Sequence, residues 1–232
     1  LSVTHNFAPI ESEWSATTAT VTVTLTDLPT GKHSLRFDIA AESDEGSFQA
    51  RPTVISFWNE ATPFEWRDAS LYFAFVDRFR DAEQTTSPDP CLPDDSIANW
   101  LGGDWAGVTE AIEEGYFEDL GINALWLNAP MDNPEGCVSG LHDRQYTAFH
   151  GYFPFDLTET ESRYGSIDDL RALVSAAHAR GIRVLIDLPA NHLFDTAPEW
   201  TQYGWEWFND DGVCRELGWT TPETCWFEPY LP

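Results

Sequence analysis

Lysine is almost absent from the sequence. Lys32 is the only lysine, and 12 Lys and Arg residues stand against 39 Asp and Glu residues, which gives a formal net charge of −27 at pH 7. A surface this acidic repels nucleic acid phosphates and anionic lipid headgroups, so we expect neither nucleic acid nor membrane partners. Such acidity with so little lysine also occurs in proteins adapted to high salt or calcium-rich surroundings, and we keep this as a hypothesis.

Long apolar runs are absent as well, and cysteine is scarce. No run is long enough to span a bilayer, and the first residues lack a basic-then-apolar signal. The four cysteines lack the paired short spacing of a zinc site, and an even number is typical of disulfides in an oxidising compartment. We therefore expect a secreted or periplasmic protein. Among three connectivities we favour Cys91–Cys137 with Cys214–Cys225, and four reduced thiols in a cytosolic protein are the alternative.

The first sixty-odd residues show the two-residue alternation of antiparallel strands. Apolar residues alternate with polar ones over 20–26 and again over 35–39, and turn-forming residues separate the two runs, which predicts a hairpin. Residues 54–58 predict another strand. We predict a small β-sandwich module over residues 1–65. Its role is either that of a binding or interface module or that of a packing appendage; we favour the second.

From residue 66 onward, strands and helices alternate, which is typical of a parallel α/β fold with right-handed crossovers. Strands are predicted at 71–76, 123–128 and 182–186. A helical pattern covers 106–119, and a second helix is predicted between a capping Ser166 and a terminating Gly181.

The third of these strands ends in polar residues. Ile182 to Ile186 is nearly all apolar, as in a strand covered on both faces, and Asp187, Asn191 and His192 follow at once. Ligands of parallel α/β folds bind at the carboxyl ends of the strands. This stretch alone predicts a site and an ordinary polar loop about equally well.

Six blocks of sequence follow one another in a specific order. They are Asp77-Arg78-Phe79, Gly102 to Gly107, Leu120-Gly121-Ile122 with Leu125-Trp126-Leu127, Thr147 to Tyr152, Ala176 to Gly181, and Asp187 to His192. Read together, the blocks resemble the α-amylase family of glycoside hydrolases (family 13). The resemblance implies an α/β fold, an incomplete TIM (β/α)8 barrel. Its first three strands would lie in 66–192, and residues 193–232 would begin the domain inserted after the third strand.

The resemblance implies a retaining glycosidase that cleaves α-1,4-glucans, such as starch and maltooligosaccharides, by double displacement. That chemistry needs two carboxylates flanking the scissile bond. The family block that carries the nucleophile, Gly-x-Arg-x-Asp on the fourth strand, is absent: residues 181–185 have the first half of its spacing but Leu185 where the aspartate must be, and they belong to the third strand. We therefore predict no catalytic residue in this chain, and we expect it to be the amino-terminal portion of a longer enzyme and inactive alone. The alternatives are a cyclodextrin-forming or branching transglycosylase of the same fold and a non-catalytic glucan-binding relative.

The resemblance also implies substrate contacts at matching positions. Tyr152 would stack on the sugar at the cleavage subsite, and His150 would lie close by. His192 would hydrogen-bond the same sugar, and Asp187 would orient the polar network around it.

Calcium is the cofactor that the resemblance implies. Asn191 would ligate a structural calcium through its amide oxygen, a hard ligand. A second cation would bind Asp81, the carbonyl of Gly102 and Asp104, although Glu83 stands where some relatives have asparagine. In a chain this acidic, solvated loop carboxylates are the competing interpretation. The oligomeric state stays open.

Overall fold

The protein is described by a computed structural model that covers residues 1–43, 46–82, 91–92, 97–139, 145–190, 192–194 and 196–203. It divides into two compact units, one formed by residues 1–69 and 175–183 and the other by residues 70–174 and 184–232. The limits predicted for three segments, 1–65, 66–192 and 193–232, stay predictions.

The amino-terminal part is all β. Its strands are β1 (Ser2–His5), β2 (Ala8–Ile10), β3 (Glu13–Ser15), β4 (Thr20–Thr22), β5 (Gly31–Asp38), β6 (Ala40–Ser43), β7 (Gly46–Gln49) and β8 (Thr53–Asn59), followed by a 3-10 turn at Trp66–Asp68. Four of them form an antiparallel sheet in the order β2-β1-β5-β8, while β3 pairs with β4 and β6 with β7. The β-sandwich itself stays a prediction.

The hairpin predicted between 20–26 and 35–39 is wrong. Only Thr20–Thr22 of the first run is a strand, and it pairs with β3. Asp27 adopts a positive φ of 53°, which breaks the extended conformation. The second run lies in β5, which pairs with β1 and with β8 instead.

Arg183 is a buried cation of the first unit. Its guanidinium lies 3.4 Å from the ring centroid of Trp58 and 4.3 Å from that of Phe64, and it donates to both carboxylate oxygens of Glu60 at 2.8 and 2.9 Å. The apolar run 182–186 therefore contains one charged residue. An ion pair and two aromatic faces stabilise its buried charge.

The remaining elements include both helices and strands. They are β9 (Leu71–Ala74), α1 (Val76–Phe79), α2 (Trp105–Glu113), α3 (Tyr116–Asp119), β10 (Ala124–Leu127), β11 (Met131–Asp132), β12 (Val138–Ser139), β13 (Gln145–Tyr146), β14 (Asp156–Thr160), α4 (Ile167–Ala179), β15 (Arg183–Ile186) and α5 (Pro198–Tyr203). The three predicted barrel strands form one sheet in the order β15-β10-β9, with β9 and β10 parallel. Two short antiparallel pairs, β11 with β14 and β12 with β13, make the second unit a mixed structure.

Two elements differ most from the sequence pattern. The first barrel strand stops at Ala74 because Val76–Phe79 turns into α1. The helix predicted over 106–119 is two helices, since Gly115 between them has a left-handed φ of 83°. The start of α4 is as predicted: Asp169 accepts from the backbone N–H of Ser166 at 2.7 Å, and the Ser166 hydroxyl lies 3.3 Å from the N–H of Asp169.

One face of the three-stranded sheet is buried and the other is open. Leu125 and Leu127 of β10 are fully buried, while Phe73 and Trp126 stand on the other face with their ring centroids 5.1 Å apart and are still partly exposed. Within the described residues, the outer edges of β9 and β15 have no neighbouring strand.

The predicted disulfide between Cys91 and Cys137 is present, whereas Cys214 and Cys225 lie outside the described residues. The longest described helix has 13 residues, and no helix of the described part has the length and apolar character needed to cross a membrane.

Candidate functional site

The four residues predicted to contact sugar lie together beyond the end of β15. The hydroxyl of Tyr152 donates to the Asp187 carboxylate at 2.8 Å, and His192 Nε2 lies 2.9 Å from the backbone carbonyl oxygen of Tyr152. The backbone N–H of Tyr152 donates to His150 Nδ1 at 2.9 Å, and the two rings are stacked with centroids 5.8 Å apart. We call these four residues the Tyr152 cluster. Their contact with a sugar stays a prediction.

The cluster is tied to the carboxyl end of the sheet through Asp187. The backbone N–H of Asp187 donates to the carbonyl of Leu127 at 3.0 Å, which continues the pairing of β15 with β10. One carboxylate oxygen accepts from the N–H of Leu188 at 3.0 Å, and the other accepts from Tyr152. Asp187 therefore couples the Tyr152 ring to the end of the strand.

Burial fixes the protonation of two cluster members. Together with the hydrogen bond to Asp187 and the charge of that carboxylate, burial raises the pKa of Tyr152 to about 12, so the hydroxyl remains a donor at neutral pH. Burial lowers the pKa of His150 to about 4, so its imidazole is neutral. Since Nδ1 accepts from Tyr152, the proton lies on Nε2, which is therefore a donor. An aromatic face beside hydroxyl, imidazole and carboxylate groups suits a polyol with an apolar C–H face.

Three buried polar residues that the sequence did not single out lie behind the loop that carries Tyr152. They are Asn128, directly after β10, Asn133, directly after β11, and Tyr164, between β14 and α4. The one signal in the sequence was that Asn128 follows an apolar strand, at the edge of the sheet where ligands bind.

The residues predicted to hold cations are only partly described. Asn191 lies outside the described residues, Asp81 is exposed, and Gly102 donates its N–H to Asp77 at 3.1 Å. Buried Asp104 caps α2 by accepting from the N–H of Gly107 at 2.6 Å, and it also accepts from the N–H of Ala82 at 3.2 Å.

Two carboxylates and a carbonyl fit calcium in donor chemistry. However, no group of three His, Cys, Asp or Glu side chains that could hold a metal ion is found in the part of the chain that the structure describes. A cation here would therefore depend on carbonyl or amide oxygens for the rest of its ligands.

A second acidic group borders the same loop. Asp132 and Asp156 face each other between β11 and β14, and the buried Glu161 is close by. Burial and the charges of Glu161 and Asp156, opposed by Arg163, raise the pKa of Asp132 to about 6.

We expect Asp132→Asn to stabilise the protein at neutral pH. Because the folded pKa of about 6 lies above the unfolded value, the native state favours protonated Asp132, and this stability is lost as the pH rises from about 4 through 6. Allowing for solvent screening at this half-buried position, the variant should gain about 1 kcal/mol at pH 7 and nothing at pH 4. Urea unfolding at both pH values measures the difference, with exposed Asp168→Asn as the control. An equal gain at both pH values would contradict the electrostatic explanation.

A family model described as the alpha amylase catalytic domain matches residues 73–209. The periplasmic alpha-amylase of Escherichia coli (strain K12) is 35% identical over 166 residues, which is 68% of this chain and 24% of that protein. A cyclomaltodextrin glucanotransferase of Bacillus sp. (strain 1-1) is 36% identical over 140 residues, 58% of this chain and 19% of that protein.

A solved structure is also similar. An alpha-amylase from Geobacillus thermoleovorans, complexed with acarbose, superposes with a TM-score of 0.52 and 27% identity over 64% of this chain and 29% of that chain. This likeness is consistent with a partial (β/α)8 barrel. The chain spans about a quarter or less of the length of these two curated relatives.

Proposed function

This chain belongs to the alpha-amylase family of glycoside hydrolases, and we propose that it is part of an enzyme that hydrolyses α-1,4-glucans such as starch and maltooligosaccharides. The observation that carries the proposal is the Tyr152 cluster, which gathers an aromatic ring, a carboxylate and two imidazoles at the carboxyl end of the sheet. Parallel α/β folds bind their ligands at this end.

Each member of the cluster has a role in the proposed site. The Tyr152 ring packs on the apolar C–H face of one sugar, and Asp187 holds the ring through its hydroxyl. His192 and the Nε2–H of His150 hydrogen-bond sugar hydroxyls. The reaction is a retaining double displacement, and the nucleophile and the acid–base carboxylate come from residues outside this chain. The 232-residue segment alone is therefore inactive.

A transglycosylase that forms cyclic or branched glucans is the second candidate. It is favoured by the glucanotransferase relative, whose identity to this chain equals that of the amylase within a point. The products formed from starch by the whole protein separate the two: linear maltooligosaccharides support the hydrolase, and cyclic or branched products the transferase. Glucan binding with no product at all would instead indicate a non-catalytic relative.

We propose calcium as the cofactor, held by Asn191 with oxygens from beyond the described residues, and a second cation at Asp81, the Gly102 carbonyl and Asp104. When bound, calcium supplies structural crosslinks between loops and no catalytic chemistry. The fit of the oxygen donors to a hard cation supports this proposal.

Chelation should therefore lower the melting temperature of the whole protein. At a free calcium concentration about 100 times the Kd, binding to the native state alone contributes about 2.7 kcal/mol, which a chelator removes. Thermal unfolding with and without chelator, followed by calcium re-addition, measures the shift. Asp81→Asn should reduce the shift if the second site is occupied. A melting temperature that does not change when the chelator is added would argue against calcium at either site.

We further propose that the protein works in a secreted or periplasmic location. The Cys91–Cys137 disulfide supports an oxidising compartment.

A further inference from the structure

The loop 149–153 carries both His150 and Tyr152, and three buried side chains bind its backbone. The hydroxyl of Tyr164 donates to the carbonyl of Phe149 at 2.8 Å, Asn128 Nδ2 donates to the carbonyl of His150 at 3.4 Å, and the N–H of Phe153 donates to Asn133 Oδ1 at 3.0 Å. We call Asn128, Asn133 and Tyr164 the loop anchors. None of the three is in the Tyr152 cluster.

Two anchors are joined to each other and to the first residue of α1. Asn128 Nδ2 also donates to the hydroxyl of Tyr164 at 2.7 Å, and its Oδ1 accepts from the N–H of Val76 at 2.9 Å. The Tyr164 ring lies between Trp100 and Trp105, with centroid separations of 5.6 and 5.9 Å. The two side chains therefore cannot rotate without losing several contacts.

The third anchor is fixed by its own backbone. The N–H of Asn133 donates to the buried Glu161 carboxylate at 3.1 Å, and its carbonyl accepts from Arg163 at 3.0 Å. Its Nδ2 donates to the carbonyl of Met131 at 2.8 Å, which leaves Oδ1 directed at Phe153.

The loop 149–153 packs closely against Asn128 at Gly151. Gly151 has a φ of 79°, and a Cβ there would lie 2.9 Å from Asn128 Nδ2 and 2.8 Å from the carbonyl oxygen of Ala129. Only glycine permits both this conformation and this approach. The backbone on either side of Tyr152 is therefore confined to one path.

We propose that Asn128, Asn133 and Tyr164 are positioning residues that fix the loop 149–153 so that Tyr152 meets the sugar. A core could be filled with apolar side chains, and burying three polar ones costs free energy unless their hydrogen bonds are satisfied. All three direct bonds to the one loop that carries two cluster members. This inference rests on the proposed glucan substrate.

Tyr164→Phe tests the proposal, because it keeps the ring between Trp100 and Trp105 and removes the bonds to Phe149 and Asn128. In the whole protein we expect KM for maltoheptaose to rise about 5- to 10-fold with a smaller change in kcat, as the loop no longer holds the stacking ring in place. Amide hydrogen exchange at Tyr152 and Phe153 should become about 10-fold faster. Tyr116→Phe, which removes a hydroxyl bonded to Tyr72, is the matched control and should change neither quantity.

Asn133→Ala provides a second variant if Tyr164→Phe folds poorly, because it removes the acceptor for the N–H of Phe153 without burying a charge. A lower melting temperature with unchanged KM and unchanged loop exchange would overturn the proposal, since that is the result of a merely structural role. If wild-type protein neither binds nor cleaves maltoheptaose, the proposed substrate fails, and the exchange measurement still decides whether the anchors hold the loop.

Discussion

Replacing Tyr152 with alanine should lower kcat/KM on maltoheptaose about 100-fold, and replacing it with phenylalanine about 5-fold. The larger loss follows from the aromatic face, whose burial against a sugar is worth about 2–3 kcal/mol, and about 1.4 kcal/mol corresponds to a factor of ten. Phenylalanine keeps that face and loses only the hydrogen bond to Asp187. Steady-state kinetics of the whole protein measure both values.

The comparison of the two variants separates stacking from hydrogen bonding. Equal losses in Tyr152→Ala and Tyr152→Phe would mean that the hydroxyl, rather than the ring, carries the interaction. The ratio of kcat/KM between the wild type and Tyr152→Phe should also be the same at pH 6 and pH 9. The pKa of Tyr152 is raised to about 12, so its hydroxyl is a neutral donor at both pH values. Tyr116→Phe again provides a hydroxyl deletion at a distance from the cluster.

Replacing Arg163 with methionine should destabilise the protein by about 3–5 kcal/mol, because it leaves the fully buried Glu161 carboxylate without its partner. Arg163 binds both oxygens of Glu161 at 2.5 and 2.7 Å, and its guanidinium lies 4.2 Å from the ring centroid of Trp100. Urea unfolding of the whole protein measures the loss. The matched control is Arg171→Met, which breaks an exposed pair with Asp168 and should cost less than about 0.5 kcal/mol.

The pair can also be removed as a whole. Combining Arg163→Met with Glu161→Leu should recover much of the stability, since the uncompensated charge is gone. The double variant still loses the bond from Asn133 to Glu161, so recovery stays incomplete. A single Arg163 variant as stable as the Arg171 control would show that water or another group solvates Glu161.

The sequence predicted those features that depend on local chemistry. The cap of α4 follows from the spacing of Ser166 and Asp169, and the three barrel strands follow from their apolar runs. The Tyr152 cluster came from blocks whose order resembles that of a known family, and the match to that family confirms the recognition.

The features that the sequence could not predict depend on partners far away along the chain. The sequence pattern predicted that β4 forms a hairpin with β5, whereas β4 pairs with β3. The spacing of Glu161 and Arg163 is typical of two surface charges. Asn128 follows an apolar strand, as the first residue of a loop does. Their burial follows from tertiary contacts with residues about 30 positions apart, such as the bond between Asn128 and Tyr164. Calcium ligation cannot be judged from the pattern, because Asp104 serves equally well as a helix cap.

Among the described residues, the outer edges of β9 and β15 have no neighbouring strand, and these two edges would determine how copies of this segment associate. β9 and β15 lie on opposite sides of β10, so each copy offers two different edges rather than one self-complementary patch. Joining the β9 edge of one copy to the β15 edge of the next is a heterologous contact, which closes into a ring only at a favourable rotation and otherwise continues. Exposed Phe73 and Trp126 would favour such contacts. Association of the isolated segment would therefore grow with concentration without stopping at a dimer.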